Sequence, residues 1–247
     1  MTKATAVAQI QTERRFFTGM AIAMALFVFI GFAPTYYLYP VIGVEPLRGA
    51  EPLTPMVHLH AATGTAWMLF LVLQTGLIMG GQPTQHMRNG IIGIALAVAI
   101  IVLGVAVAIY SARVGRTPPG WTPTGFMAIP LASVTLFGGF VTAALLWRWR
   151  PDFHKRLMLI GTTALLVPAG ARFSHQFLDG LAPPGPVGGM ILSDFFLAAL
   201  VIYDLRMRGR LHPATLWGGG IVLVSQPLRV MLSDNPAFNR FAAWMIG

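Results

Sequence analysis

The chain lacks several residue types, and each absence excludes a class of protein. None of its 247 residues is cysteine, which excludes disulfide frameworks, thiolate metal sites and cysteine nucleophiles. Only 10% of the residues are charged, against about 25% in an ordinary soluble domain. Lysine occurs only at Lys3 and Lys155, so the last apolar segment cannot supply the Schiff-base lysine that a retinal protein needs.

Familiar catalytic signatures are also missing. The sequence contains none of the motifs GxSxG, HExxH, CxxC and GxxxxGK[ST], so hydrolase, zinc-protease and ATPase functions have no support. The six histidines are scattered and do not form the HxxxH and HxxHH clusters of membrane di-iron oxygenases and desaturases. The motifs therefore leave the question of enzymatic activity open.

What the chain does contain is apolar sequence, with 55% hydrophobic residues and a mean hydropathy of +0.69. A helix that crosses a bilayer needs about 20 mostly apolar residues. Breakers and charges delimit seven such segments, which predicts an all-α integral membrane bundle of about seven transmembrane helices forming a single domain over residues 1–247. The predicted spans are 16–38, 57–79, 88–112, 124–147, 156–178, 187–205 and 213–232.

The basic residues give the predicted orientation, because lysine and arginine concentrate in cytoplasmic loops. If the N-terminus is cytoplasmic, eleven of them share its side of the membrane. This predicts a protein of the bacterial inner membrane with its N-terminus inside and its C-terminus outside. The net charge of +9 is spread over short clusters between apolar runs, which argues against nucleic acid as a partner. The eleven are Lys3, Arg14, Arg15, Arg88, Arg148, Arg150, Lys155, Arg156, Arg206, Arg208 and Arg210.

Polar residues mark one stripe of the second predicted span. His60, Trp67 and Gln74 recur at helical spacing and share a face. His58 lies two residues before His60, about 200° around the helix. The two histidines form a candidate metal site only if the first helical turn is frayed. Otherwise each is an ordinary hydrated histidine at the start of a helix.

Ionisable residues also occur inside the fifth and sixth predicted spans, where each is a functional hypothesis by default. His154 and His175 share a face of the fifth span but are about 30 Å apart along it, so that one serves each leaflet. Arg172 lies beside His175, at a depth similar to that of Asp194 in the sixth span. The sequence predicts an ion pair between Arg172 and Asp194, in either a structural or a functional role.

Three motifs resemble a widespread group of bacterial multi-pass inner-membrane proteins of uncharacterised function. They are Leu59-His60 with Trp67 and Gln74, His86 with Gly90, and the run His154-Lys155-Arg156-Leu157-Met158. The same motifs, LH…W…Q, H…G and HKRLM, recur in that order in the group, and the resemblance covers about residues 55–175. The resemblance implies no activity, but it singles out His60, Trp67, Gln74, His86, His154 and Arg156.

Three functions are compatible with these patterns. The first is a b-type haem protein that transfers electrons, with two histidines from facing helices on each iron and arginines for the propionates. In this hypothesis His86 and His154 are the more doubtful pair, because they lie at the starts of helices. The candidate ligands are His60 with His175 on the outer side, His86 with His154 on the inner side, and Arg172 and Arg156 for the propionates.

The second function is transport of a small solute or a soft metal ion, using Met56, His58 and His60 as ligands and Arg172 with Asp194 for proton coupling. The third is a structural or accessory subunit of a membrane complex. The expected partners are the lipid bilayer and, depending on the function, other membrane subunits or a quinone.

Overall fold

The computed structural model describes residues 3–42, 53–178 and 181–247. Within these ranges the chain forms helices and no strand. A short π-helical turn, Ala33–Tyr37, follows the first helix. The helices are α1 (Lys3–Phe32), α2 (Tyr39–Ile42), α3 (Pro55–Met79), α4 (Pro83–Arg113), α5 (Pro123–Phe126), α6 (Ala128–Leu146), α7 (Pro151–Ala164), α8 (Val167–Phe177), α9 (Gly185–Arg208), α10 (Pro213–Ser233) and α11 (Pro236–Ile246).

Five helical segments among the described residues are long and apolar enough to cross a membrane, namely Val7–Tyr37, Pro55–Met79, Pro83–Arg113, Pro123–Leu146 and Gly185–Arg208. The pair α7 and α8 makes a sixth if it is counted as one broken span. The seventh predicted span, 213–232, corresponds to α10, which is long enough but is not among these candidates. Ser225, Gln226 and Arg229 lie within it. The molecule is therefore a multi-pass helical membrane protein with five or six candidate spans.

The fifth predicted span is not one continuous helix. α7 ends at Ala164 and α8 begins at Val167, with a bend of 53° between them. Pro168 causes the break, because its ring clashes with the carbonyl four residues earlier, that of Ala164, and it has no N–H to donate. The predicted boundaries 156–178 were thus close to the combined range, but the bend was not part of the prediction.

The helices pack as neighbouring hairpins around one core. α3 packs against α4 and α6 against α7, while α1 contacts both α3 and α8. α10 lies against α6 and α7, and α8 against α9. The largest fully buried apolar side chains are Trp67, Phe137, Met24, Met127 and Ile160. Most cations lie where α1, α4, α7 and α10 begin, and we call this end of the bundle the basic end.

Candidate functional site

The basic end brings together two histidines from different helices. The ring centroids of His86 on α4 and His154 on α7 are 6.1 Å apart, with the ring planes nearly perpendicular. The Nδ1 atom of His154 donates to the backbone carbonyl of Ala144 on α6, at 2.9 Å. Nδ1 of His86 is buried and has no hydrogen-bond partner. Buried polar atoms are almost always paired, and Nδ1 of His60 is likewise buried and unpaired. Among the described residues, His86 differs from His60 in having a second histidine ring beside it, which makes the pair of His86 and His154 the candidate site.

Polar atoms of α3 continue from this pair into the core. The backbone of Gln74 lies close enough to interact with the His86 ring, and the side-chain Oε1 of Gln74 is buried without a partner. About two turns before Gln74 on α3, Trp67 donates a hydrogen bond from Nε1 to the hydroxyl of Thr162 at 3.2 Å. Trp67 also packs edge-on against Phe137, with 4.9 Å between centroids. This aromatic pair separates the polar region of the basic end from the other half of the bundle.

The opposite end of α3 does not form the predicted haem pair. The ring of His60 points towards α4, where a Cβ added to Gly104 would lie 4.0 Å from its Cε1 atom. His175 is exposed on α8, and α8 packs on α1 and α9. No ring contact joins His60 and His175 among the described residues. The structure therefore does not bring His60 and His175 together, although it does bring together His86 and His154, the pair that the sequence analysis considered more doubtful.

The predicted metal site also lacks convergent ligands. α3 is regular from Pro55, so its first turn is not frayed. Nδ1 of His58 shares a hydrogen bond with the hydroxyl of Tyr36 at 3.0 Å. His58 lies on a different face of α3 from His60. Within the described ranges, no three histidine, aspartate or glutamate side chains group as metal ligands.

A buried ion pair lies deeper at the basic end and was missed by the sequence analysis. Arg156 and Asp204 are both fully buried, and Nε and Nη2 of Arg156 donate to the Asp204 carboxylate. The same carboxylate accepts from the backbone N–H of His212 at 3.1 Å and from the hydroxyl of Thr215 at 2.6 Å. α7, α9 and α10 are thereby tied together. Because Arg156 also donates to the carbonyl of Asp152, it is not available for a haem propionate as predicted.

His212 lies in the loop before α10 and caps that helix. Its Nδ1 accepts the backbone N–H of Ala214 at 3.1 Å, which satisfies one of the free donors at a helix start. Burial, followed by the charges of Arg156 and Arg208, lowers the pKa of His212 to about 4. The ring is therefore neutral at physiological pH, which is the form that can accept this hydrogen bond.

Asp194 has a different partner from the one predicted. Its Oδ1 accepts from Nε2 of Gln226 on α10 at 2.8 Å, and Arg229 supplies the neighbouring positive charge. Arg172 instead donates to the carbonyl of Pro168 at 3.0 Å and stacks over the ring of Phe32 at 4.3 Å. The predicted ion pair between Arg172 and Asp194 is wrong. Depth along a helix was similar, but the side chains project towards different neighbours.

Arg229 is a second buried cation, and it lies within the predicted span 213–232 on α10. It is 2% exposed and donates to the hydroxyls of Ser133 at 3.2 Å and Ser225 at 2.9 Å. Its Nε atom is buried without a partner. These hydroxyls connect α10 to α6 in the half of the bundle opposite the basic end.

The chain matches no protein-family model, no curated protein and no solved structure. The class that the fold defines is therefore a multi-pass helical membrane protein. Its most distinctive site is the histidine pair at the basic end.

Proposed function

We propose that the protein is a b-type haem protein that transfers electrons within the bacterial inner membrane, and that His86 and His154 would hold the haem. The observation that carries the proposal is the approach of these two rings from separate helices, 6.1 Å apart between centroids. Haem iron in helical bundles commonly takes histidines from facing helices. When bound, a haem supplies one-electron oxidation and reduction.

The residues present fit such a group in three respects. The two rings are 6.1 Å apart between centroids, close enough that one metal ion could bond to a nitrogen of each, since nitrogen–metal bonds are about 2 Å long. The hydrogen bond from His154 to the Ala144 carbonyl fixes the ring and leaves Nε2 as the ligating atom, as is usual for metal-bound histidine. The unpartnered Nδ1 of His86 offers the second nitrogen.

The transport alternative has less support among the described residues. The predicted coupling pair of Arg172 and Asp194 does not form, and no group of three ligands is available for a metal cargo. A purely structural role leaves two buried polar atoms of the basic end, His86 Nδ1 and Gln74 Oε1, without partners. The haem proposal gives at least the first of them a function.

We also infer that seven segments cross the membrane, with the N-terminus cytoplasmic and the C-terminus outside. α10 is the added span: it has 21 residues, enough to cross the hydrocarbon core. Its polar residues face protein, since Arg229 is buried against α6. A C-terminal alkaline phosphatase fusion should be active and a green fluorescent protein fusion dark. The reverse pattern would place the C-terminus inside and remove either α10 or another span from the membrane.

The haem proposal is tested by a reduced-minus-oxidised visible spectrum of protein expressed with ample haem and purified in mild detergent. We expect a b-type α band and about one haem per chain. The variants His86→Ala and His154→Ala should each lose the band, because each removes one of the two histidines that would hold the haem.

His175→Ala is the matched control, since His175 is exposed on α8. It should retain the full band, and so should His60→Ala. Absence of an α band in wild-type protein expressed with ample haem would overturn the proposal and support the structural-subunit alternative. A band lost in His60→Ala and His175→Ala, but kept in the other two variants, would overturn the assignment of the ligands.

A further inference from the structure

An apolar groove of about 390 Å³ lies on the outside of the bundle between α6, α7 and α10. It starts at the basic end, where Trp147 and Phe153 line it, and runs along the two long helices. On α6 the lining extends to Thr135 and on α10 from Pro213 to Ile221. Eight residues of helix rise about 12 Å, which is close to the roughly 15 Å thickness of one leaflet of hydrocarbon. The groove therefore has the length of a single acyl chain.

The lining offers almost nothing to a polar head group. Its one side-chain hydroxyl, that of Thr135, already donates to the carbonyl of Leu131 at 2.8 Å. The remaining lining is aliphatic, aromatic or glycine, with Gly139 and Trp217 exposed along it. Trp147 and Trp217 each carry one indole N–H donor, but the surface that the lining residues turn to the groove is almost wholly apolar. A ligand whose head lies inside the groove, such as a quinone ring, would leave its oxygens without partners. The occupant must be apolar in the groove and polar outside it.

The two loops at the mouth of the groove are basic. Arg148 and Arg150 lie between α6 and α7, next to Trp147, and Arg210 lies in the loop that leads into α10. Among the described residues, Arg150 and Arg210 form no ion pair, since the bridges of this region are made by Lys155, Arg156 and Arg208 with other acids. Exposed cations beside interfacial tryptophans are the setting in which anionic lipid head groups bind.

From this arrangement we infer a specific site for an anionic phospholipid, with one acyl chain in the groove and the phosphate at Arg148 and Arg150. The site is independent of the proposed haem. It lies one helix face away from it, because Ala143 and Phe153 line the groove while their neighbours Ala144 and His154 form the histidine site. The lipid would thus pack against the back of the elements that hold His154.

The test uses the full-length protein in detergent, mixed with phosphatidylglycerol or with phosphatidylcholine of the same acyl chains. Retained lipid is counted by native mass spectrometry. We expect one retained phosphatidylglycerol and a clear preference over phosphatidylcholine. Each arginine near an anionic surface contributes about fivefold to the affinity. The double variant Arg148→Gln/Arg150→Gln should therefore bind phosphatidylglycerol about 25-fold more weakly and lose the preference, whereas Arg88→Gln on α4 should not.

A second variant blocks the groove itself. A Cβ at Gly139 would meet no atom within 4 Å, so Gly139→Leu can place its side chain in the groove without a clash. It should abolish retention of both lipids while the protein remains monodisperse. Gly220→Leu on α10 is the matched control, because its Cβ also meets nothing within 4 Å and it is not part of the lining.

Three outcomes would overturn the inference. They are equal retention of the two lipids by the wild type, undiminished retention by a folded Gly139→Leu protein, and a retained mass that belongs to a quinone. If Gly139→Leu fails to fold, the arginine variants still decide, because loss of the preference supports the site and an unchanged preference refutes it.

Discussion

Replacing Asp204 by Asn should strongly destabilise the bundle. The carboxylate accepts five hydrogen bonds, three from Arg156 and one each from His212 and Thr215. The neutral amide leaves the fully buried guanidinium of Arg156 with only the exposed carboxylate of Asp152, 3.8 Å away, as a counter-ion. Loss of one partner of a buried pair costs about 3–5 kcal/mol. At about 2–4 °C per kcal/mol for a protein of this size, Tm should fall by roughly 6–20 °C.

The assay is a thermal unfolding curve in mild detergent, followed by circular dichroism. Asp194→Asn is the control, because the amide oxygen can still accept from Gln226 and Asp194 is only half-buried, so Tm should change by less than about 3 °C. The double variant Arg156→Met/Asp204→Leu should recover much of the lost stability, since an apolar pair needs no counter-charge. A shift below about 2 °C for Asp204→Asn, or a double variant no more stable than the sum of its parts, would refute the reasoning.

Two further predictions concern the loop before α10 and the packing of α8 on α9. The pKa of His212 lies below its ordinary value of 6.5, at about 4, so the folded protein binds fewer protons than the unfolded chain between these values. The contribution of the neutral His212 ring to stability is therefore present above pH 6.5 and is lost as the pH falls towards 4. The variant His212→Asn, which keeps a capping acceptor, should flatten the plot of Tm against pH. An unchanged slope would show that His212 does not cause the pH dependence. A Cβ on Gly189 would lie 2.2 Å from the carbonyl oxygen of Val167, so Gly189→Ala should cost about 1–3 kcal/mol. Gly219→Ala, where a Cβ meets nothing within 4 Å, should be neutral or stabilising by up to about 1 kcal/mol, and equal effects of the two substitutions would show that backbone contact is not the cause.

The positions of three long helices could be predicted from the sequence to within about five residues at either end, whereas the predicted first span, 16–38, begins well after the start of α1 at Lys3. The predicted segments 57–79, 88–112 and 187–205 correspond to Pro55–Met79, Pro83–Arg113 and Gly185–Arg208. Hydropathy and helix-breaking residues act locally, so a run of apolar residues is enough to predict a membrane helix. The break near Pro168 is equally local, and the proline in the predicted fifth span was a signal for it.

The partners of the polar residues were harder to predict. Asp194 and Arg172 have similar depths, yet Asp194 bonds to Gln226 and Arg172 to its own helix. Asp204 and Arg156 could have been paired by the same count of depth at the basic end. Depth gives only one coordinate, and the direction in which a side chain leaves the helix depends on how the helices are rotated and packed.

The sequence by itself determined that the chain is an apolar helical membrane protein, where its helices lie, and that its cations gather mainly at one end. These properties depend on how each short segment is solvated, and the solvation of a segment does not require its neighbours in the fold. Only the tertiary structure decided that His86 approaches His154 while His60 and His175 remain apart, and that Arg156 is neutralised by Asp204. Those contacts join residues 68 and 48 positions apart in the chain, so they exist only once the helices have packed.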